Sequence, residues 1–137
     1  MLNRTEAIQT LKNHDISPTH QRLVIAQYLF AKRQHLSAEQ LKYSVQQKLP
    51  DISFGTIYNT LKLFEEKGLI QSIHVDGQSC YYDSYPNPHH HFYRIDTGEL
   101  IDIDLDQIQF SQLPPIPKGM RHEATSVILR IQPEETH

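Results

Sequence analysis

One cysteine, no tryptophan and only five glycines occur in this chain of 137 residues. The single thiol, Cys80, excludes an intrachain disulfide and any zinc site built only from thiolates of one chain. No apolar run is long enough to cross a bilayer. Residues 1–13 mix polar and apolar side chains and do not read as a signal peptide. A cytoplasmic protein with no membrane partner is the expectation. A strong charge of either sign is also missing, since 13 Lys and Arg face 16 Asp and Glu for a net charge of −3. That total argues weakly against a nucleic-acid binder, but its distribution does not. Residues 1–68 carry 9 basic and 6 acidic side chains, a balance of +3, and residues 69–137 carry 4 and 10, a balance of −6. A basic half suited to phosphate and an acidic half suited to a cation could divide the labour. With 38% apolar residues, the chain can bury a modest core, in one compact domain or two small ones.

Histidine is abundant, and three of the nine are consecutive: His89, His90 and His91. Asp83 precedes them and Asp102 follows. Alternate residues of a strand share a face, so His89 and His91 can reach one point while His90 points away. Imidazole with carboxylate suits Fe²⁺, Mn²⁺ or Zn²⁺. The plainer alternative is a polar surface loop in a His-rich chain.

Apolar spacing predicts a short amphipathic helix over residues 3–14, interrupted by Ser17-Pro18. A second helix should begin near Thr19, with Leu23, Ala26, Leu29 and Phe30 on one face. His35-Leu36 reads as a turn. Ser37 and Gln40 have capping-box spacing, which opens a third helix that Pro50 ends. A fourth helix opens at Ser53, buries Ile57, Leu61 and Phe64, and stops at Gly68 as its C′ residue. Extended runs on either side of Asp76-Gly77 predict a hairpin. Helices followed by a hairpin are the order of a winged helix-turn-helix, with the hairpin as wing. Thr, Asn and Lys on a helix surface are more commonly a solvated face than a DNA reader, and only the order of elements favours the latter. Ser84 to Pro88 reads as a hinge. Beyond it, strands are expected at 89–95 and 99–103, a short helix at 104–113, an extended connector at 114–117, and a strand at 125–131. In that last strand Val127, Leu129 and Ile131 share a face. So small a sheet cannot bury itself well alone, which predicts a dimer. The fold class is thus α+β: a winged-helix domain at 1–83, a hinge at 84–88 and a small metal-binding α/β dimerisation domain at 89–137.

Four segments together resemble the ferric uptake regulator superfamily, in order and over nearly the whole chain. They are Ile16-Ser17-Pro18-Thr19-His20-Gln21-Arg22, Thr56-Ile57-Tyr58-Asn59-Thr60-Leu61, Glu66-Lys67-Gly68-Leu69-Ile70 and His89-His90-His91-Phe92. Val75-Asp76-Gly77, Tyr82-Asp83, Glu99 to Ile103 and Val127 to Arg130 are most similar to its iron response regulator (Irr) branch, with the peroxide sensors (PerR) as nearest competitor. The resemblance implies a regulatory metal site of His35, Asp83, His89, His91 and Asp102. On sequence alone His35 would be a surface histidine. It also implies Fe²⁺ or Mn²⁺ as the ion, with Zn²⁺ able to substitute in vitro. The chain departs from the family at two places. Arg94 and Thr97, and then Pro133 and Thr136, stand where many members carry two cysteine pairs, so no structural four-cysteine zinc is expected. Gln109 and Thr125 stand at a further acidic and histidine site, although His122 is close by. His90, left without an obvious partner, is the candidate haem contact or second-site ligand implied by the Irr branch. The Cys-Pro motif of some haem-binding members is absent, since Tyr81 follows Cys80.

The implied function is a dimeric, metal-responsive repressor of iron homeostasis that reads double-stranded operator DNA. Arg22, Lys62 and other basic residues would supply phosphate contacts and salt-dependent affinity, with Thr19 also at the DNA. Thr56, Tyr58, Asn59 and Lys62 would enter the major groove. Peroxide sensing through metal-catalysed oxidation of His35 or His89 is the alternative. A metal-dependent hydrolase is a remote one, because no nucleophile motif or phosphate loop accompanies the cluster, and the protein is not expected to be an enzyme.

Overall fold

The computed structural model describes residues 1–135, so Thr136 of the second substituted cysteine pair lies outside the described residues. The chain forms two compact units, Met1–Pro86 and Asn87–His137.

The first unit begins with α1 (Arg4–Asn13) and α2 (His20–Leu29). Asn3 and Thr19 cap them by accepting hydrogen bonds from the N–H groups of Glu6 and Arg22, donors that otherwise have no partner inside a helix. The α2 helix is buried more completely than its expected single face: Val24 and Ile25 are as enclosed as Leu23, Ala26 and Leu29. It runs through the middle of the helical core, where apolar side chains are welcome all round. His35-Leu36, expected as a turn, is instead strand β1. Its two residues pair with Asp83 and Tyr82 further along the chain, partners no local signal reveals. Helix α3 (Ala38–Val45) opens on the full Ser37/Gln40 capping box. It ends at Val45 rather than at Pro50. Tight turns follow, with Lys48 and Leu49 N–H both bonding to the Val45 carbonyl, and they bring Ile52 into the core.

Helix α4 (Phe54–Glu66) is capped by Ser53 and buries Ile57, Thr60, Leu61 and Phe64. Gly68 follows its end with φ +80°, a conformation that needs glycine's missing Cβ. Strands β2 (Gln71–His74) and β3 (Cys80–Asp83) form the wing, antiparallel in the order β1-β3-β2. The loop at its tip is longer than a two-residue turn. Asp76 Oδ1 accepts from the N–H groups of Gln78 and Ser79, an Asx-type local bond.

The second unit is a three-stranded sheet in the order β5-β4-β6. Strands β4 (His90–Arg94) and β5 (Leu100–Ile103) are antiparallel, and β6 (Ile128–Ile131) lies parallel to β4. The helix expected over 104–113 shrinks to a single 3₁₀ turn at Leu105–Gln107. An isolated short helix is marginal without a packed face; here Phe110 and Leu113 stay exposed, and prolines follow at once. Among the described residues this unit contains no α-helix. One face of the sheet carries a row of apolar side chains in register, Ile101, Phe92 and Leu129. Ile101 is 39% and Leu129 42% exposed.

Candidate metal centre and nucleic-acid interface

In the first unit His35 and Asp83 are cross-strand partners in β1 and β3. His35 Nε2 lies 3.1 Å from Asp83 Oδ2, and Asp83 is fully buried. The other oxygen of Asp83 accepts from Tyr85 N–H at 2.9 Å. In the second unit His91 and Asp102 are also cross-strand partners. Asp102 Oδ1 sits 3.1 Å from His89 Nε2 and 3.4 Å from His91 Nε2. The two imidazoles lie 4.4 Å apart between ring centroids, tilted 54° to each other. Alternation along the strand does this: residues 89 and 91 share a face, and residue 90 turns to the other.

The tautomer of His89 shows what this set can hold. Its Nδ1 lies 2.7 Å from the Asn87 carbonyl oxygen. A carbonyl can only accept, so Nδ1 must carry the hydrogen. In the neutral ring the Nε2 lone pair then faces a carboxylate oxygen at 3.1 Å, an arrangement that a second ring proton or a metal cation between the two would satisfy. Outer hydrogen bonds that fix a histidine in this way are characteristic of metal-ligating imidazoles. Two imidazoles and a carboxylate therefore fit a divalent first-row ion.

The placement of the His90 ring does not suit an axial haem ligand. Its Nδ1 accepts from Val127 N–H at 2.9 Å, and its Nε2 is enclosed, so neither nitrogen is presented to a porphyrin iron. What His90 does is tie the approach of β6 to β4. It also lines a largely apolar cavity of about 320 Å³ with Phe110, His122, Glu123 and Thr125. His122 bonds Thr125 there at 2.7 Å. Among the described residues these side chains do not bring three ligating atoms to a common point.

Where the family often carries its first cysteine pair, Arg94 makes a two-pronged pair with Asp96, at 3.1 and 2.7 Å. The Arg94 hydrogen bonds hold the Asp96 carboxyl below the usual range. The Gly98 N–H closes the turn onto the Arg94 carbonyl at 2.8 Å.

The six expected DNA-binding residues fall into separate groups. Thr19, Arg22, Thr56 and Asn59 line one cleft of about 400 Å³ where the start of α2 meets α4. His20 and Gln21 line it as well. Tyr58 faces a second groove of about 420 Å³, formed with the wing residues Gln78 to Tyr82 and the start of α3. Lys62 is exposed further along α4. Burial pushes the Cys80 thiol up and the Tyr82 hydroxyl up to about 12, so neither supplies an anion at neutral pH.

The profile described as the ferric uptake regulator family matches residues 13–129. The chain belongs to the ferric uptake regulator family. The peroxide operon regulator of Bacillus subtilis is 30% identical over 107 residues, covering 76% of this chain and 74% of that protein. The ferric uptake regulator of Helicobacter pylori, a structure described as having three functional metal-binding sites, superposes with a TM-score of 0.69 at 15% identity, over 96% of this chain and 92% of that one. The Pseudomonas aeruginosa regulator with manganese gives 0.68 at 22% identity, over 93% and 97%. These likenesses make the architecture a winged-helix DNA-binding domain followed by a dimerisation domain. They make the chain a metal-responsive transcription regulator rather than an enzyme. Among the described residues, no helix is long and apolar enough to cross a membrane.

Proposed function

We propose that this family member represses iron-homeostasis genes by coupling a divalent ion, Fe²⁺ or Mn²⁺, to operator binding. The observation that carries it is the convergence of His89 and His91 on one oxygen of Asp102, with the His89 tautomer set by Asn87. His35 and Asp83 supply two further donors from the DNA-binding unit. In this reading one ion draws on both sets and so favours one arrangement of the two units. Operator and metal then become linked because both prefer that arrangement. The bound ion supplies Lewis acidity and, if iron, redox reactivity. Thr19 and Arg22 approach phosphates beside the start of α2, and Thr56, Tyr58, Asn59 and Lys62 present the exposed side of α4 to base edges. The unpartnered row of Ile101, Phe92 and Leu129 is the surface offered to a second copy of the chain.

Peroxide sensing is the second reading, favoured by the likeness to the Bacillus subtilis peroxide regulator. Peroxide reduced at a bound Fe²⁺ would generate its oxidant beside the ligands, so oxidation would fall on His35 or His89. Anaerobic operator binding by metal-free protein, with Fe²⁺, Mn²⁺, Zn²⁺ and haem added separately, tests the first reading. Peroxide added to the Fe²⁺ arm, followed by peptide mass analysis, tests the second. Operator affinity indifferent to every metal would refute both.

A further inference from the structure

Phe54, the first residue of α4, is 43% exposed, and Tyr58 one turn later is 46% exposed. Residues four apart share a helix face, and the two rings lie 6.3 Å apart between centroids. From α3, Lys42 places its Nζ 4.9 Å from the Phe54 ring centroid, within cation–π range. None of this contributes to the helix core, which α4 builds with Ile57, Thr60, Leu61 and Phe64. A lone exposed aromatic needs no explanation. Two neighbouring aromatics tilted 32° to each other, with a lysine over one of them at the start of this helix, do. Recognition helices contact bases through their N-terminal residues, and the thymine methyl is the apolar feature of the major-groove edge.

We propose that Phe54 is a specificity-determining residue that packs against a thymine 5-methyl group in the operator, with Lys42 holding its ring and reaching the neighbouring phosphate. This rests on α4 being the helix that enters the major groove. The chemistry divides the work along one face: Phe54 and Tyr58 read apolar methyls, and Asn59 and Lys62 offer hydrogen bonds. Lys42 also bonds Gln46 at 3.4 Å, which steadies its position over the ring.

Uracil in place of thymine removes only the methyl group and leaves pairing and groove hydrogen bonds unchanged. An operator is first selected from a random duplex pool by the full-length protein, with and without Mn²⁺, and each thymine is then replaced in turn. Wild type should lose about fourfold in affinity at one or more positions in each half-site, the effect expected of one buried methyl. Phe54→Ala should bind the thymine operator more weakly and be indifferent to uracil at one of those positions, while Tyr58→Ala stays sensitive there. Circular dichroism and melting of Phe54→Ala and Phe54→Gln confirm that the fold is kept, and either variant serves for the comparison. Uniform indifference of wild type to uracil, or full uracil sensitivity in the Phe54 variant, overturns the assignment. If Lys62→Ala and Tyr58→Ala both leave operator binding unchanged, α4 is not the reading helix and the underlying reading fails with it. Uracil indifference combined with a strong Lys62 effect removes Phe54 alone.

Discussion

Replacing His35 by alanine should uncouple metal from operator while leaving both units folded. In the first unit the change removes an imidazole nitrogen 3.1 Å from the buried Asp83 carboxylate. Asp83 keeps its bond from Tyr85 N–H at 2.9 Å, so the stability loss should stay near about 1–2 kcal/mol, within the range for one lost partner of a buried polar group. The three donors of the second unit, His89, His91 and Asp102, are untouched, and metal should still bind, more weakly. The linkage should change most. Coupling between sites is commonly about 1–3 kcal/mol, roughly 5–150-fold in affinity, and in the variant it should fall to within about threefold of none. Fluorescence anisotropy of labelled operator, titrated at fixed free Mn²⁺ concentrations, measures it. Wild-type coupling in His35→Ala would show that the ion does not act through this residue. Complete loss of metal binding would show that the second-unit set is not sufficient by itself.

His91→Ala should instead lower metal affinity itself by about tenfold or more, the scale expected on disturbing a metal shell, and isothermal titration with Mn²⁺ reads this directly. Lys62→Ala should weaken binding to all duplexes alike and flatten the salt slope by about one unit, checked by affinities at several salt concentrations. Gly55→Ala should stabilise the first unit by about 0.5–1 kcal/mol. An added Cβ would meet only Ser53 Oγ at 3.7 Å, so thermal melting should shift upward. Chelation followed by size measurement should leave a dimer, because the Arg94–Asp96 pair replaces a metal-held turn and the apolar row, not a zinc, is the proposed contact between copies. Dissociation on chelation would overturn that account.

Some features of this protein were decided over a few consecutive residues, and those were legible in the sequence. Ser37 with Gln40, Ser53 and Gly68 mark helix ends because each satisfies or permits the backbone within one turn of itself. The alternation that sets His89 and His91 on one side and His90 on the other follows from the two-residue period of a strand. Nothing local told His35-Leu36 to be a strand, since its cross-strand partners are residues 83 and 82. Nor could periodicity show that α2 would bury four consecutive residues, Leu23 to Ala26, because burial depends on what the other helices bring to it. The parallel placement of β6 beside β4, and the tie from His90 to Val127, join residues about forty positions apart. The charge balance and the histidine run were enough to suggest a cation site. The carboxylate of Asp102 set against His89 and His91, and the lysine laid over Phe54, came only from the tertiary structure. Hydrogen-bond direction and ring contacts depend on distances of a few ångströms between groups, and those distances are set by packing rather than by sequence spacing.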